Sequence, residues 1–163
     1  FSALQYGMLF ALPYTLTAVL MVLVSRHSDR VNERRMHVAL TYVASGLSLL
    51  VSVSLRDHFW WSYGFLCVSI PGPSVALAPF WAIPSETLPR STRGAVMGLV
   101  NACGNLGGFA GPAIAGWLKS KTGSLELSFD DLALGILIAA GLAYWLPKAV
   151  GNENVKCKMQ NAE

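Results

Sequence analysis

PFWAIPSETLPRSTRGAVMGLVNACGNLGGFAGPAIAGWL, residues 79–118, is the stretch on which the reading of this chain turns. From Gly94 to Leu118 it holds no charged residue, and about 20 residues suffice to carry a helix across a bilayer core. Wound at about 100° per residue, the run is not uniformly greasy. Gly94, Gly98, Asn101, Asn105, Gly108, Pro112 and Gly116 fall on one stripe, with Gly104, Gly107 and Gly111 on a second beside it. Leu99, Leu106 and Trp117 take the remaining face. A helix surrounded by lipid gains nothing from asparagine and glycine. A helix that packs closely on neighbours through Gly104, Gly107, Gly108 and Gly111, and turns two amides to a wet cavity, does gain.

The rest of the composition agrees with a membrane. The 163 residues are 53% hydrophobic and only 13% charged, with mean hydropathy +0.47. Soluble domains carry about 25% charged residues, so a water-soluble fold is disfavoured. Net charge is +3, with no basic run interleaved with aromatics, which argues against nucleic acid as a partner. Cys67, Cys103 and Cys157 have no CxxC spacing and indicate neither a zinc site nor a disulfide framework. His27, His37 and His58 are read as interface residues, none with a second ligand at metal-binding spacing. There is no Walker-type phosphate loop and no nucleophile–base pairing, so an enzyme, a cofactor and nucleotide-driven transport are all disfavoured.

Five long runs predict five transmembrane helices, at about residues 3–24, 36–55, 59–84, 94–118 and 132–146. The first lacks the basic leader of a signal peptide and reads as a true span with chain missing upstream. Pro71, Pro73 and Pro79 interrupt the third. Irregular backbone at membrane depth persists only where protein or water covers it, so that helix is expected to be kinked and internal. Nine of the 12 lysines and arginines (Arg26, Arg30, Arg34, Arg35, Arg90, Arg93, Lys148, Lys156 and Lys158) lie in alternate loops and the tail. Arg56, Lys119 and Lys121 lie on the other side. The positive-inside rule then puts the start of the segment outside and residues 148–163 in the cytoplasm as a tail.

Two motifs carry a resemblance. PFWAIP followed by NACGNLGGFAGP resembles the tenth and eleventh helices of the major facilitator superfamily, and more narrowly its anion:cation symporter family, carriers of organic anions. SRHSDRVNERR, from Ser25 to Arg35, resembles the superfamily's loop pattern G-x-L-S-D-R-x-G-R-R-R. Ser28, Asp29, Arg30, Arg34 and Arg35 match it, while Ser25, His27, Asn32 and Glu33 replace Gly, Leu, Gly and Arg. Asn32 suits a turn because asparagine tolerates left-handed backbone. The resemblance implies an all-α membrane protein whose residues 1–147 form part of the C-terminal bundle, helices eight to twelve. Helix seven and the N-terminal half would be supplied by absent chain.

Candidate roles follow. Asp29 with Arg30, Arg34 and Arg35 can form a cytoplasmic gating latch, or can serve only as topology charges. Glu86 is expected to form a loop ion pair near Arg90 and Arg93. Asn101 and Asn105 share a face and can bind carboxylates and hydroxyls of a polar solute, or bind neighbouring helices. Trp81 can stack on a substrate or pack beside a proline kink, and Tyr14 is a further substrate candidate. No Lys, Arg, Asp or Glu is placed well inside any predicted span, so the cation for an anionic substrate and any proton-carrying carboxylate are assigned to the absent half. The combined reading is a multi-pass fragment of a plasma-membrane carrier for a small organic anion, a sugar acid or other carboxylate, moved by ion-coupled alternating access. Its partners would be that anion, the lipid bilayer and the absent half. A non-transporting sensor or scaffold of the same fold, or an inert truncated product, are the alternatives.

Overall fold

The structure, a computed structural model, describes residues 2–146. The predicted tail at 148–163 lies outside the described residues. Six helical segments follow one another: α1 (Ala3–Val31), α2 (Arg34–Ser54), α3 (Phe59–Ser69), α4 (Pro71–Thr87), α5 (Arg90–Thr122) and α6 (Leu125–Trp145). Backbone torsions at Ile70, between α3 and α4, remain helical (φ −57°, ψ −43°), so these two are one span broken at Pro71. The five expected helices are therefore present, and there is no strand among the described residues. Four of them, with α3–α4 taken together, are long and apolar enough to cross a membrane. The helix α5 is not among these four, because its asparagines and glycines dilute its leucine and valine.

Three boundaries differ from the hydropathy reading. First, α1 runs on through the charged segment to Val31 and stops at Asn32, whose φ of 52° is left-handed. Second, α5 begins at Arg90 and ends at Gly123, at φ 70°, so it outruns its uncharged stretch at both ends. Third, α6 starts at Leu125 rather than 132, because Ser124 caps it by accepting from the Leu127 N–H. Glu126, Asp130 and Asp131 thus sit in the first two turns of the last helix, not before it.

The broken span is internal, as its prolines require. Pro71, Gly72, Val75, Ala76, Pro79 and Ile83 are all buried, and 44% of its most apolar window is covered, the largest share of the four. Prolines also dictate the contacts between helices. A proline has no N–H, so the carbonyl four residues earlier loses its partner, a serious cost away from water. Pro13 orphans the Leu9 carbonyl, which accepts instead from the Tyr63 hydroxyl on α3 at 2.8 Å. Pro73 orphans the Ser69 carbonyl, which accepts from Ser45 Oγ on α2 at 2.7 Å in a buried contact.

The centre of the bundle is α2, which packs on α3, α4 and α6. Val38 and Ala39 of α2 meet Ala76 and Ala143 in the core, flanked by Tyr42, Phe80 and Leu146. Close approach is set by two glycines. A Cβ on Gly72 would lie 2.3 Å from Ser45 Cβ and 3.0 Å from the Thr41 carbonyl oxygen, and one on Gly46 would lie 2.8 Å from Leu137 Cγ. At the far end Ser52 and Ser62 exchange hydroxyl-to-carbonyl bonds of 2.9 Å, joining α2 to α3.

Candidate functional site

The polar stripe of α5 is bare. No residue of α5 is buried, and both Asn101 and Asn105 are exposed, without hydrogen bonds to other described residues. A Cβ on Gly104, Gly107 or Gly108 would meet nothing within 4 Å, and one on Gly111 would meet only Leu132, at 3.9 Å. Among the described residues these four glycines make no close packing contact, because α5 touches only α6 and, slightly, α4. Ser128 Oγ of α6 donates to the Ala115 carbonyl at 2.8 Å and fixes that contact.

The other proposed substrate contacts lie apart from the asparagines. Tyr14 is exposed on α1, which makes no contact with α5. Trp81 is half-buried on α4, edge-on to Phe80 with ring centroids 5.3 Å apart. The described residues therefore do not gather Asn101, Asn105, Trp81 and Tyr14 into one pocket. A cleft of about 480 Å³ does open between α2, α4, α5 and α6, lined by Tyr42, Pro73, Gly111, Ile114 and Asp131 among others. Sequence reasoning missed it because it placed Asp131 ahead of the last helix.

The arginine loop is organised around Arg34. Its guanidinium pairs with Asp29 on α1 and, through Nη2 at 2.9 Å, with Glu86 at the end of α4. The Arg34 side chain is 12% exposed, against 62% for Asp29. The guanidinium donates to both carboxylates, and their negative charges offset the cost of its burial. Glu86 is thus an ion-pair residue as expected, but its partner is Arg34 rather than Arg90 or Arg93. Arg93 instead donates to the Leu88 carbonyl at 3.0 Å, closing the turn into α5.

The remaining latch candidates divide. Arg35 pairs with Glu33 at 3.1 Å, donates to the Leu146 carbonyl at 3.4 Å and lies 5.8 Å from the centre of the Tyr144 ring, so it ties the loop to α6. Arg30 forms no ion pair with a described residue. Ser28 is buried and donates to the Glu33 carbonyl at 3.3 Å across the left-handed turn. A side-chain pair absent from the reading joins His27 Nδ1 to His37 Nε2 at 2.7 Å. At the opposite end, Arg56 pairs with Glu126, tying α2 to α6.

The profile of the Major Facilitator Superfamily matches residues 1–156. The chain belongs to that superfamily. Two Agrobacterium vitis proteins named as tartrate transporters are 35% and 34% identical, over 91% and 94% of this chain. An Acinetobacter baumannii protein named as a quinolone resistance transporter is 29% identical over 88% of it. The matches cover 34%, 35% and 33% of those proteins, so the chain spans about a third of the length of the relatives it matches.

Proposed function

We propose that this chain is the C-terminal part of a carrier that takes up a small organic anion by ion-coupled alternating access, in the manner of the anion:cation symporters. The observation that carries the reading is the match, over nine-tenths of the chain, to relatives named as tartrate transporters. Tartrate is a small hydroxylated dicarboxylate, and amides such as Asn101 and Asn105 offer both donors and acceptors to such groups. The uncovered α5 face, with Trp81 and Tyr14, is assigned to the substrate pathway, facing the remainder of the carrier. Counter-charge for the anion comes from that remainder. The Asp29–Arg34–Glu86 junction then acts as a cytoplasmic latch, with the segment's start outside the plasma membrane and its end inside.

Uptake of labelled tartrate by the complete carrier in proteoliposomes, under an imposed proton or sodium gradient, tests the assignment. Saturable, gradient-dependent uptake, competed by sugar acids and not by neutral sugars, is expected. Failure with every carboxylate tested would remove the anion assignment. Export of a fluoroquinolone instead would favour the second reading, suggested by the relative named for quinolone resistance. Orientation has its own test. Cysteines introduced at Arg34 and at Lys119, in a carrier cleared of native thiols, should label from inside and outside respectively, and labelling of position 34 from outside would reverse the topology.

A further inference from the structure

On the last two turns of α1, Leu23, Arg26, His27 and Arg30 recur at helical spacing and so share one face. His37, from the first turn of α2, closes the side, and with Val24 these residues line an open cavity of about 490 Å³. The cavity is two-natured. Leu23 and Val24 end the apolar part of α1, whereas Arg26 and Arg30 supply two full positive charges one turn further on. Neither arginine has an ion pair or hydrogen bond with another described residue. Nearby acids are committed elsewhere, Asp29 to Arg34 and Glu33 to Arg35.

The two histidines form one wall of the cavity and bond to each other. The Glu33 carbonyl, 2.5 Å from His37 Nδ1, can only accept, so that nitrogen carries a proton. In the neutral pair, His37 Nε2 then accepts from His27 Nδ1–H. This leaves His27 Nε2 as the one ring nitrogen of the pair with no described partner. The carbonyl end of α1 carries only about half a negative charge, which the two guanidiniums outweigh.

We infer that this cavity binds the phosphate of an anionic phospholipid headgroup between Arg26 and Arg30, beside His27, with the acyl chains running along Leu23 and Val24. The apolar lining, continuous with a membrane span, distinguishes a lipid from free phosphate, and basic pockets at a bilayer surface take such headgroups. His37 is a positioning residue that orients His27. The inference does not depend on which solute the carrier moves.

The chain in nanodiscs of zwitterionic lipid, titrated with fluorescent phosphatidylglycerol, supplies the test. Saturable binding is expected, falling about fivefold in R26Q and about 20-fold in R26Q/R30Q, at the usual weight of a basic residue near a membrane. R26K/R30K should retain binding, H27Q should show a smaller loss than the double variant, and R56Q should bind as the parent does. Undiminished binding in R26Q/R30Q would overturn the site. An equal loss in R56Q would reduce it to bulk surface charge. Displacement of the lipid by excess inorganic phosphate would overturn the lipid assignment.

Discussion

Two helices of this bundle use small residues in opposite ways. On α2, Gly46 lies so close to Leu137 that a single added carbon would collide, Ser45 covers the carbonyl that Pro73 leaves bare, and Ser52 bonds to Ser62 on α3. On α5, a larger set of glycines makes at most one loose contact, Gly111 with Leu132, and both asparagines are exposed among the described residues. The number of glycines in a helix therefore says little about packing. What distinguishes the two is whether a neighbouring helix approaches closely enough to give the small residue a specific task. The α2 seam holds this bundle together, whereas the α5 face is surface that the rest of a superfamily carrier can use.

Substitutions that add or remove one group should separate these roles, and the largest effect on stability is expected at Gly72. In Gly72→Ala the new Cβ would overlap Ser45 Cβ, which the α2 backbone holds in place, so α2 and α4 must part. Overpacking of this kind costs about 1–3 kcal/mol or more. Gly108→Ala meets open space and replaces a poor helix former, so it should leave stability unchanged or raise it by up to about 1 kcal/mol. Reversible unfolding of the chain in mixed micelles compares them, and equal effects would erase the distinction between the helices.

Smaller losses are expected where a hydroxyl covers a proline's orphan carbonyl. Ser45→Ala uncovers the Ser69 carbonyl and Tyr63→Phe uncovers the Leu9 carbonyl, each at about 1 kcal/mol, within the range for polar contacts in membranes. The loss should depend on the proline. Restoring an N–H with Pro73→Ala should cut the cost of Ser45→Ala, and a double-mutant cycle reads the coupling. No coupling would mean that the carbonyl finds another partner.

Glu86→Gln comes next. It removes one of two carboxylates from the buried Arg34 guanidinium, and in a complete carrier it should raise cytoplasmic cysteine accessibility. Asp29→Asn should act in the same direction but less, because Asp29 is largely exposed and water screens its pair. Accessibility at parent levels in both variants would leave these charges with a topology role alone.

Much of this was legible in the residues. Hydropathy and the proline-rich third run predict five helices and a broken internal span, and asparagine at position 32 predicts the left-handed stop of α1. What escaped has physical causes. A hydropathy run marks where a helix meets lipid, not where it ends, so α1 carries Arg26, His27 and Arg30 beyond the apolar stretch, and α6 begins early enough to carry Asp131. The Arg34–Glu86 pair joins residues 52 apart in sequence, which no local pattern encodes. The Tyr63 and Ser45 contacts could have been sought by asking which carbonyl each proline deprives. Asn101 and Asn105 were visible at once as polar residues in an apolar run, but among the described residues they are exposed, so their role is not written in this bundle's packing.

The smallest expected effect on stability is the most informative about function. Asn105→Ala removes an exposed amide from a helix with no buried residue, and alanine is the better helix former. The chain should therefore keep its stability to within about 0.5 kcal/mol. In a complete carrier, the same change would take donors and an acceptor from the proposed substrate pathway, so tartrate uptake should fall with a raised apparent KM. Asn105→Gln, which keeps the amide one methylene further out, should retain part of the activity, and Asn101 variants should behave alike. Parent-rate uptake with unchanged KM in both alanine variants would remove the asparagines from the pathway. A stability loss in the isolated chain comparable to that of Ser45→Ala would instead class Asn105 with the α2 seam, as a residue that binds helices rather than solute.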